Sequence, residues 1–390
     1  MTRKIIRNYQ LFKLIEGLSI SFFFGTYQLF LSSKGMSLLE INLINAVFMV
    51  ANFIFEIPTG AIADFLGRKR SVIIGLWIYS LSFLAYFFAD RLWHFLLAEI
   101  IGALAATCIS GALEAMVVDS LYLHGYSASL EKIFRRAEIR NGGIILGAVS
   151  GALAGQADLA RPWLMSAVCF ALLAIAASYL FRLMPDWQKR NVRFSFAPLR
   201  RIAQESIAYG VNNRRLMTAI SFAAILAFAV QAVNMYWPLV FRDSFGVEIK
   251  YMGLIFGGII ALNFLGSQLS HFWQKIWGEG SRGLFLSQAV TAAAMLGCCF
   301  ISGLPMFLTF FLLHEAGRGL FNPLNRAFIN ASIEGKNRAT ILSFESMVVK
   351  AGAALGLLGS GLLAGQAGIL FVWGLSAAAL GLAIVLFWHR

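Results

Sequence analysis

Between two apolar runs the chain reads Gly60-Ala-Ile-Ala-Asp64-Phe-Leu-Gly67-Arg68-Lys69-Arg70, preceded by Glu56-Ile-Pro-Thr. The run before it, near residues 40–64, and the run after it, near 71–89, are each apolar over about the 20 residues that cross a hydrocarbon layer. A turn this short, with three cations just behind its glycine, takes the chain out of an apolar phase and straight back in. Gly60 permits a close helix approach and Gly67 a tight turn. Asp64 and Arg68 are placed to form charge pairs or to cap helix ends.

Working outward, the same alternation fills the 390 residues, which are 59% hydrophobic and only 13% charged. An ordinary soluble domain carries about 25% charged residues, so a water-soluble fold is excluded. Transmembrane helices are expected near 9–32, 40–64, 71–89, 93–119, 139–156, 162–183, 215–240, 250–272, 283–302, 304–323, 338–363 and 367–388, an all-α membrane protein of twelve crossings. Cations gather in every second loop: Arg3, Lys4 and Arg7; Arg68 to Arg70; Lys132, Arg135 and Arg136; Lys189 through Arg215; Lys275 and Arg282; Arg326, Lys336 and Arg338. The intervening loops hold only Lys34, Arg91, Arg161, Arg242 and Lys250. This asymmetry puts both termini in the cytoplasm and predicts a multi-pass protein of the bacterial inner membrane with an uncleaved first helix. The net charge of +13 is thereby topology, and no nucleic-acid partner is expected.

Cys108, Cys169, Cys298 and Cys299 lie in apolar runs without metal-ligand spacing. His94, His124, His271, His314 and His389 are scattered, so neither a metal, a cofactor nor enzymatic chemistry is expected. The longest polar interval divides the chain into an N-terminal bundle of six helices, 1–185, a basic linker, 186–214, and a C-terminal bundle, 215–390. A surface-lying amphipathic helix is expected around Leu199 to Tyr209. Gly151-Ala-Leu-Ala-Gly-Gln-Ala157 returns as Gly361-Leu-Leu-Ala-Gly-Gln-Ala367, an offset of 210 that also pairs Gly142 with Gly352. Both copies fall on the fifth helix of their half, as a parallel repeat requires.

The loop at 60–70 resembles the Gly-x-x-x-Asp-x-x-Gly-Arg-Lys/Arg signature of the major facilitator superfamily, in that family's position between helices two and three. The resemblance implies two six-helix bundles that rock about a central solute site. It also implies a cytoplasmic gate made of Gly60, Asp64, Gly67, Arg68 and Lys69, in which Arg68 pairs with Asp119 and Asp64 meets the helix start at Arg338 to Leu342. The second half keeps a trace, Gly266-Ser-Gln-Leu-Ser270, without the acid or the Gly-Arg. Drug antiporters of the family often carry Gly-Pro in helix five; Gly147-Ala148 lacks the proline, so that marker of export is absent.

Charges inside a bilayer cost several kcal/mol unless paired or facing a cavity, so each marks a candidate site. Glu16, Glu99, Glu315, Arg318 and His314 are the candidates for proton coupling or substrate binding, with Glu315 and Arg318 at i,i+3 and His314 and Arg318 at i,i+4. Glu56 and Glu114 lie nearer helix ends, and Glu345 with Lys350 is expected as a structural ion pair. An arginine near the position of Glu99 is common in proton-coupled members of the family, so the acid is a departure from that pattern. Tyr27, Gln28, Asn52, Gln231, Asn234 and Tyr236 are expected to line a cavity, with Asn45 and Asn263 in the same layer. Gly143, Gly147, Gly151 and Gly155 form a smooth face for helix packing. Together these features predict a monomeric secondary transporter of a small organic solute, driven by protons. Efflux of amphipathic or drug-like compounds is the leading expectation, uptake of a polar or anionic metabolite the alternative, and lipid or lysolipid transport a third. A channel is disfavoured, since no filter-like loop or charged ring is present.

Overall fold

The computed structural model describes residues 1–185, 213–278, 280–331, 333 and 338–388; the helix expected around Leu199 to Tyr209 lies outside them. Among the described residues all regular structure is helical. Before the linker come α1 (Thr2–Ser21), α2 (Tyr27–Ser33), α3 (Leu38–Leu66), α4 (Arg68–Phe88), α5 (Leu92–Leu123), α6 (Glu131–Arg136), α7 (Ile139–Gly155) and α8 (Arg161–Leu180). After it come α9 (Arg214–Ala229), α10 (Gln231–Phe245), α11 (Ile249–Trp277), α12 (Ser281–Cys298), α13 (Leu304–Ala331), α14 (Arg338–Ala367) and α15 (Ile369–Phe387). The pairs α1/α2 and α9/α10 are each one interrupted crossing and α6 is a short connector, which leaves twelve crossings.

Among the described residues, eight segments are long and apolar enough to cross a membrane on that ground alone. The remaining crossings include α1, which carries Lys13 and Glu16, α13, which carries Glu315 and Arg318, and α7, which has 17 residues. Their place in the fold is set by packing rather than by hydropathy. At the α1/α2 break the backbone tightens into turns, with Phe24 N–H donating to Ser21 O and Thr26 N–H to Phe23 O. Pro58, Pro238 and Pro323 stand inside α3, α10 and α13, where each removes a backbone donor.

The chain forms two compact units. Of the described residues, unit 1 holds those within 1–36, 44–194 and 247–257, and unit 2 those within 37–43, 195–246 and 258–390. The first turn of α3 thus belongs to unit 2, where Asn42 Nδ2 donates to Leu357 O at 2.7 Å and to Ser360 Oγ at 3.0 Å. Inside unit 1, α1 packs mainly on α7 and α4 on both α5 and α8; inside unit 2, α9 packs mainly on α14 and α12 on both α13 and α15. The two units therefore repeat one packing scheme.

Glycines make that scheme possible. A Cβ at Gly143, Gly147 or Gly151 would strike the carbonyl oxygen of Leu14 or Leu18 on α1, or of Phe22 at its C-terminal end. In unit 2, Gly352 and Gly356 stand in the same way against the carbonyls of Ala224 and Phe228. By these contacts Gly352 corresponds to Gly143, one residue away from the 210 offset, while a side chain on Gly142 would meet nothing within 4 Å. The offset itself holds in the last crossing of each unit: Trp163, Ser166 and Ala167 are buried on α8, and Trp373, Ser376 and Ala377 on α15. Apolar cores fill each bundle. In unit 2, Phe222, Leu226, Leu284, Phe285, Leu324 and Leu380 form one such cluster.

Candidate functional site

Gly67 caps α4 with φ of 98°, a backbone conformation that glycine adopts at little cost. The turn aims Arg68 back along α3 and across to α5. Its Nη1 donates to Asp119 Oδ2, and its Nε stands 3.8 Å from Asp64 Oδ1. Lys69 follows, partly exposed. The group borders a recess of about 280 Å³ lined by Glu56, Thr59, Asp64, Arg68, Thr107 and Ser110 among others. Gly60 corrects the sequence reading: nothing lies within 4 Å of a Cβ placed there, so it opens onto this recess rather than seating a neighbouring helix. The expected meeting of Asp64 with Arg338 to Leu342 falls largely on residues 338–340, whose side chains lie outside the described ones.

Glu16 is held by cations. Arg140, brought up by α7, donates from Nε to Oε2 at 2.7 Å and from Nη2 to Oε1 at 3.2 Å, and Lys13 Nζ stands 3.0 Å from Oε2. The fork-on-carboxylate geometry fixes the acid, as one-point contacts do not. Arg140 was not legible as a partner, being 124 residues away.

Glu99 on α5 has a different setting. The phenols of Tyr27 and Tyr86 both donate to its Oε1, the first at 3.1 Å. Around them stands an aromatic group: Trp163 stacks on Tyr86 with centroids 4.0 Å apart and on Phe23 at 4.1 Å, while Phe30 and Phe83 pack at its edges. Trp163 is 1% exposed and its indole N–H has no hydrogen-bond partner. Tyr27 was expected on a cavity wall; it is 7% exposed and belongs to this cluster instead. Gln28 beside it is buried too, whereas Asn52 is partly exposed.

In unit 2, Glu315 and Arg318 meet as their spacing predicts, with Arg318 Nη1 donating to Glu315 Oε1 at 2.7 Å and to Asn234 Oδ1 at 2.8 Å. His314 does not complete a triad. Its Nδ1 bonds the carbonyl of Phe311 at 2.9 Å, and its Nε2, buried without a hydrogen bond, is 3.7 Å from Glu315 Oε1. Arg318 opens onto a recess of about 290 Å³ whose polar wall comprises Gln231, Asn234, Asn263, Asn322, Asn325 and Glu345. Asn325 Nδ2 donates to Glu345 Oε1 at 2.8 Å, so Glu345 faces this recess. Gln231 and Asn234 line it as expected, but Tyr236 is fully buried, its hydroxyl 3.4 Å from Leu38 O. Asn322 and Asn325 escaped the sequence reading, although Asn322-Pro323 in an apolar helix marks a place where backbone and side-chain polarity coincide.

The model of the Major Facilitator Superfamily matches residues 11–284 and 220–390. The MFS-type transporter YxaM of Bacillus subtilis (strain 168) is 26% identical over 382 residues, covering 96% of this chain and 92% of the relative. The multidrug resistance protein MdtH of Escherichia coli O1:K1 / APEC is 22% identical, covering 78% of this chain and 72% of the relative. Among solved structures, the nucleoside transporter NupG superposes with a TM-score of 0.83 at 15% identity over 99% of this chain and 98% of that one. A bacterial homologue of the iron transporter ferroportin gives 0.78, also at 15%, over 99% and 98%. At such identities the structures establish the fold alone. With residues 11–390 covered by the family model and the fold shared along the chain, the protein belongs to the major facilitator superfamily and is a multi-pass membrane transporter, not an enzyme.

Proposed function

We propose that this chain is a secondary active transporter that exports amphipathic, drug-like organic solutes across the bacterial inner membrane in exchange for protons, with both termini in the cytoplasm. One observation carries the coupling. Glu16 and Glu315 are each paired with a cation, whereas Glu99 is held by two neutral phenols. Protonating a carboxylate that balances a cation strands that cation in the membrane; protonating Glu99 strands nothing. Its aromatic surroundings suit an amphipathic solute, and the similarity to MdtH, named for multidrug resistance, supports the outward direction. The gate role of Asp64, Arg68 and Asp119 rests on their mutual contacts and on the family motif.

The test is solute-triggered proton movement in proteoliposomes across a panel of dyes, antibiotics, sugars and organic acids. An amphipathic compound should drive proton flux in wild type and not in Glu99→Gln. If no panel member moves protons while one still crosses, the coupling assignment is wrong. A second reading, uptake of a small polar metabolite, draws on the amide-lined recess of unit 2 and predicts flux with a polar solute moving inward.

A further inference from the structure

We infer that the recess of unit 2 binds an uncharged solute presenting adjacent hydrogen-bond donors and acceptors, of the kind carried by a nucleobase, a lactam or a cyclic ureide, and that it selects against organic anions. The inference rests on reading the chain as a solute transporter and adds the chemistry of what it holds.

Charge excludes the anion. The guanidinium of Arg318 looks like an anion receptor in sequence, but Glu315, 3% exposed, already takes one of its N–H groups, and Asn234 shares that nitrogen. The second ionisable group on the wall is an acid, Glu345, whose hydrogen bond comes from an amide. Arg326, whose charge reaches Glu345, is exposed and is not on the wall. An entering anion therefore meets a compensated cation and a carboxylate.

Three carboxamides show which atoms the solute must offer. An amide has two distinguishable ends, and a partner that only donates or only accepts settles which end it meets. Asn234 accepts from Arg318, so its NH2 remains to donate. Gln231 donates from Nε2 to Ala227 O at 3.1 Å, so its oxygen remains to accept. Asn325 donates to Glu345, and its Oδ1 is buried without a partner in a residue 4% exposed. A buried acceptor without a donor is costly, so a solute N–H that meets this oxygen as the side chain turns toward the recess relieves that cost. The wall thus offers one donor and one acceptor, with Asn325 Oδ1 as a second acceptor behind them, and the fitting solute supplies two donors and one acceptor. Asn263 and Asn322 add further amides, while Leu226, Val230, Phe321 and Val349 offer apolar surface to the rest of the molecule. The volume of about 290 Å³ matches a compound of roughly ten non-hydrogen atoms, taking about 30 Å³ per water-sized group as a scale.

The experiment measures equilibrium binding to the full-length protein in lipid nanodiscs, using uracil, adenine and allantoin as neutral probes, benzoate as the anion and tetraphenylphosphonium as the cation. At least one neutral probe should bind, about tenfold or more weakly in Gln231→Leu and Asn325→Leu, and benzoate should not. Because Asn325 is buried, Asn322→Ala, at an exposed position, serves as a second variant, and unfolding midpoints identify any variant that fails to fold. Binding of benzoate, or neutral-probe binding indifferent to all three amide substitutions, overturns the inference. So does binding of the cation alone, abolished by Glu345→Gln. Proton flux in proteoliposomes without neutral-probe binding leaves the transporter reading standing and removes this one. Neutral-probe binding at the recess without any solute movement does the reverse.

Discussion

Glu99 and Glu16 show what surroundings do to the same side chain. Glu16 sits under a guanidinium fork and an ammonium, so its charge is part of the structure. Replacing Arg140 with Met leaves Glu16 with Lys13 beside it, and we expect a loss of about 1–3 kcal/mol, read as a lower unfolding midpoint in detergent. The figure lies below the 3–5 kcal/mol typical of a fully buried pair because Arg140 keeps 32% of its side chain exposed and Lys13 remains. Glu99→Gln should change the midpoint far less and remove solute-driven proton flux, since phenols can donate to an amide oxygen as well as to a carboxylate. Tyr86→Phe deletes one of the two donors and should shift the pH dependence of flux while leaving transport measurable. The spacing of Glu315 and Arg318 made their pairing readable in advance, because i,i+3 neighbours share a helix face whatever the tertiary fold. Nothing local signalled Glu16 with Arg140, or Tyr27 and Tyr86 with Glu99, because those meetings depend on how separate helices are turned about their own axes.

At the scale of the element, adjacent glycines on α7 have opposite expected effects. Gly142 faces open space, so Gly142→Ala removes the helix penalty of glycine and should stabilise by up to about 1 kcal/mol. Gly143 lies against the carbonyl of Leu14, and Gly143→Ala must push α1 and α7 apart, at a cost of about 1–3 kcal/mol. Midpoints of the two variants moving in opposite directions would establish the register of this contact; equal shifts would refute it. The four-residue spacing of Gly143, Gly147 and Gly151 revealed a packing face, but the helix it packs on became visible only in three dimensions. The repeat was similarly half visible. The Gly-Ala/Leu-Leu-Ala-Gly-Gln stretch disclosed the fifth helices, while the correspondence of Trp163 with Trp373 needed the burial of both to give it meaning.

For the whole molecule, the proposed orientation has a direct test. With the four native cysteines replaced, Asp158→Cys between α7 and α8 should react with an impermeant maleimide on intact cells, and Gly125→Cys between α5 and α6 only after permeabilisation. The reverse pattern would invert the topology and with it the assignment of export. Composition, the recurrence of apolar runs and the Gly-x-x-x-Asp-x-x-Gly-Arg-Lys loop by themselves determined an all-helical membrane fold of this superfamily. They suffice because in hydrocarbon every backbone group must bond within its own segment, which makes a long apolar run a helix regardless of its neighbours. Which buried acid is neutralised and which is not, which amides face one recess, and which glycine touches which carbonyl were decided by tertiary structure alone. Those properties depend on the rotation and register of helices against each other, and these follow from side-chain packing summed over many residues distant in sequence.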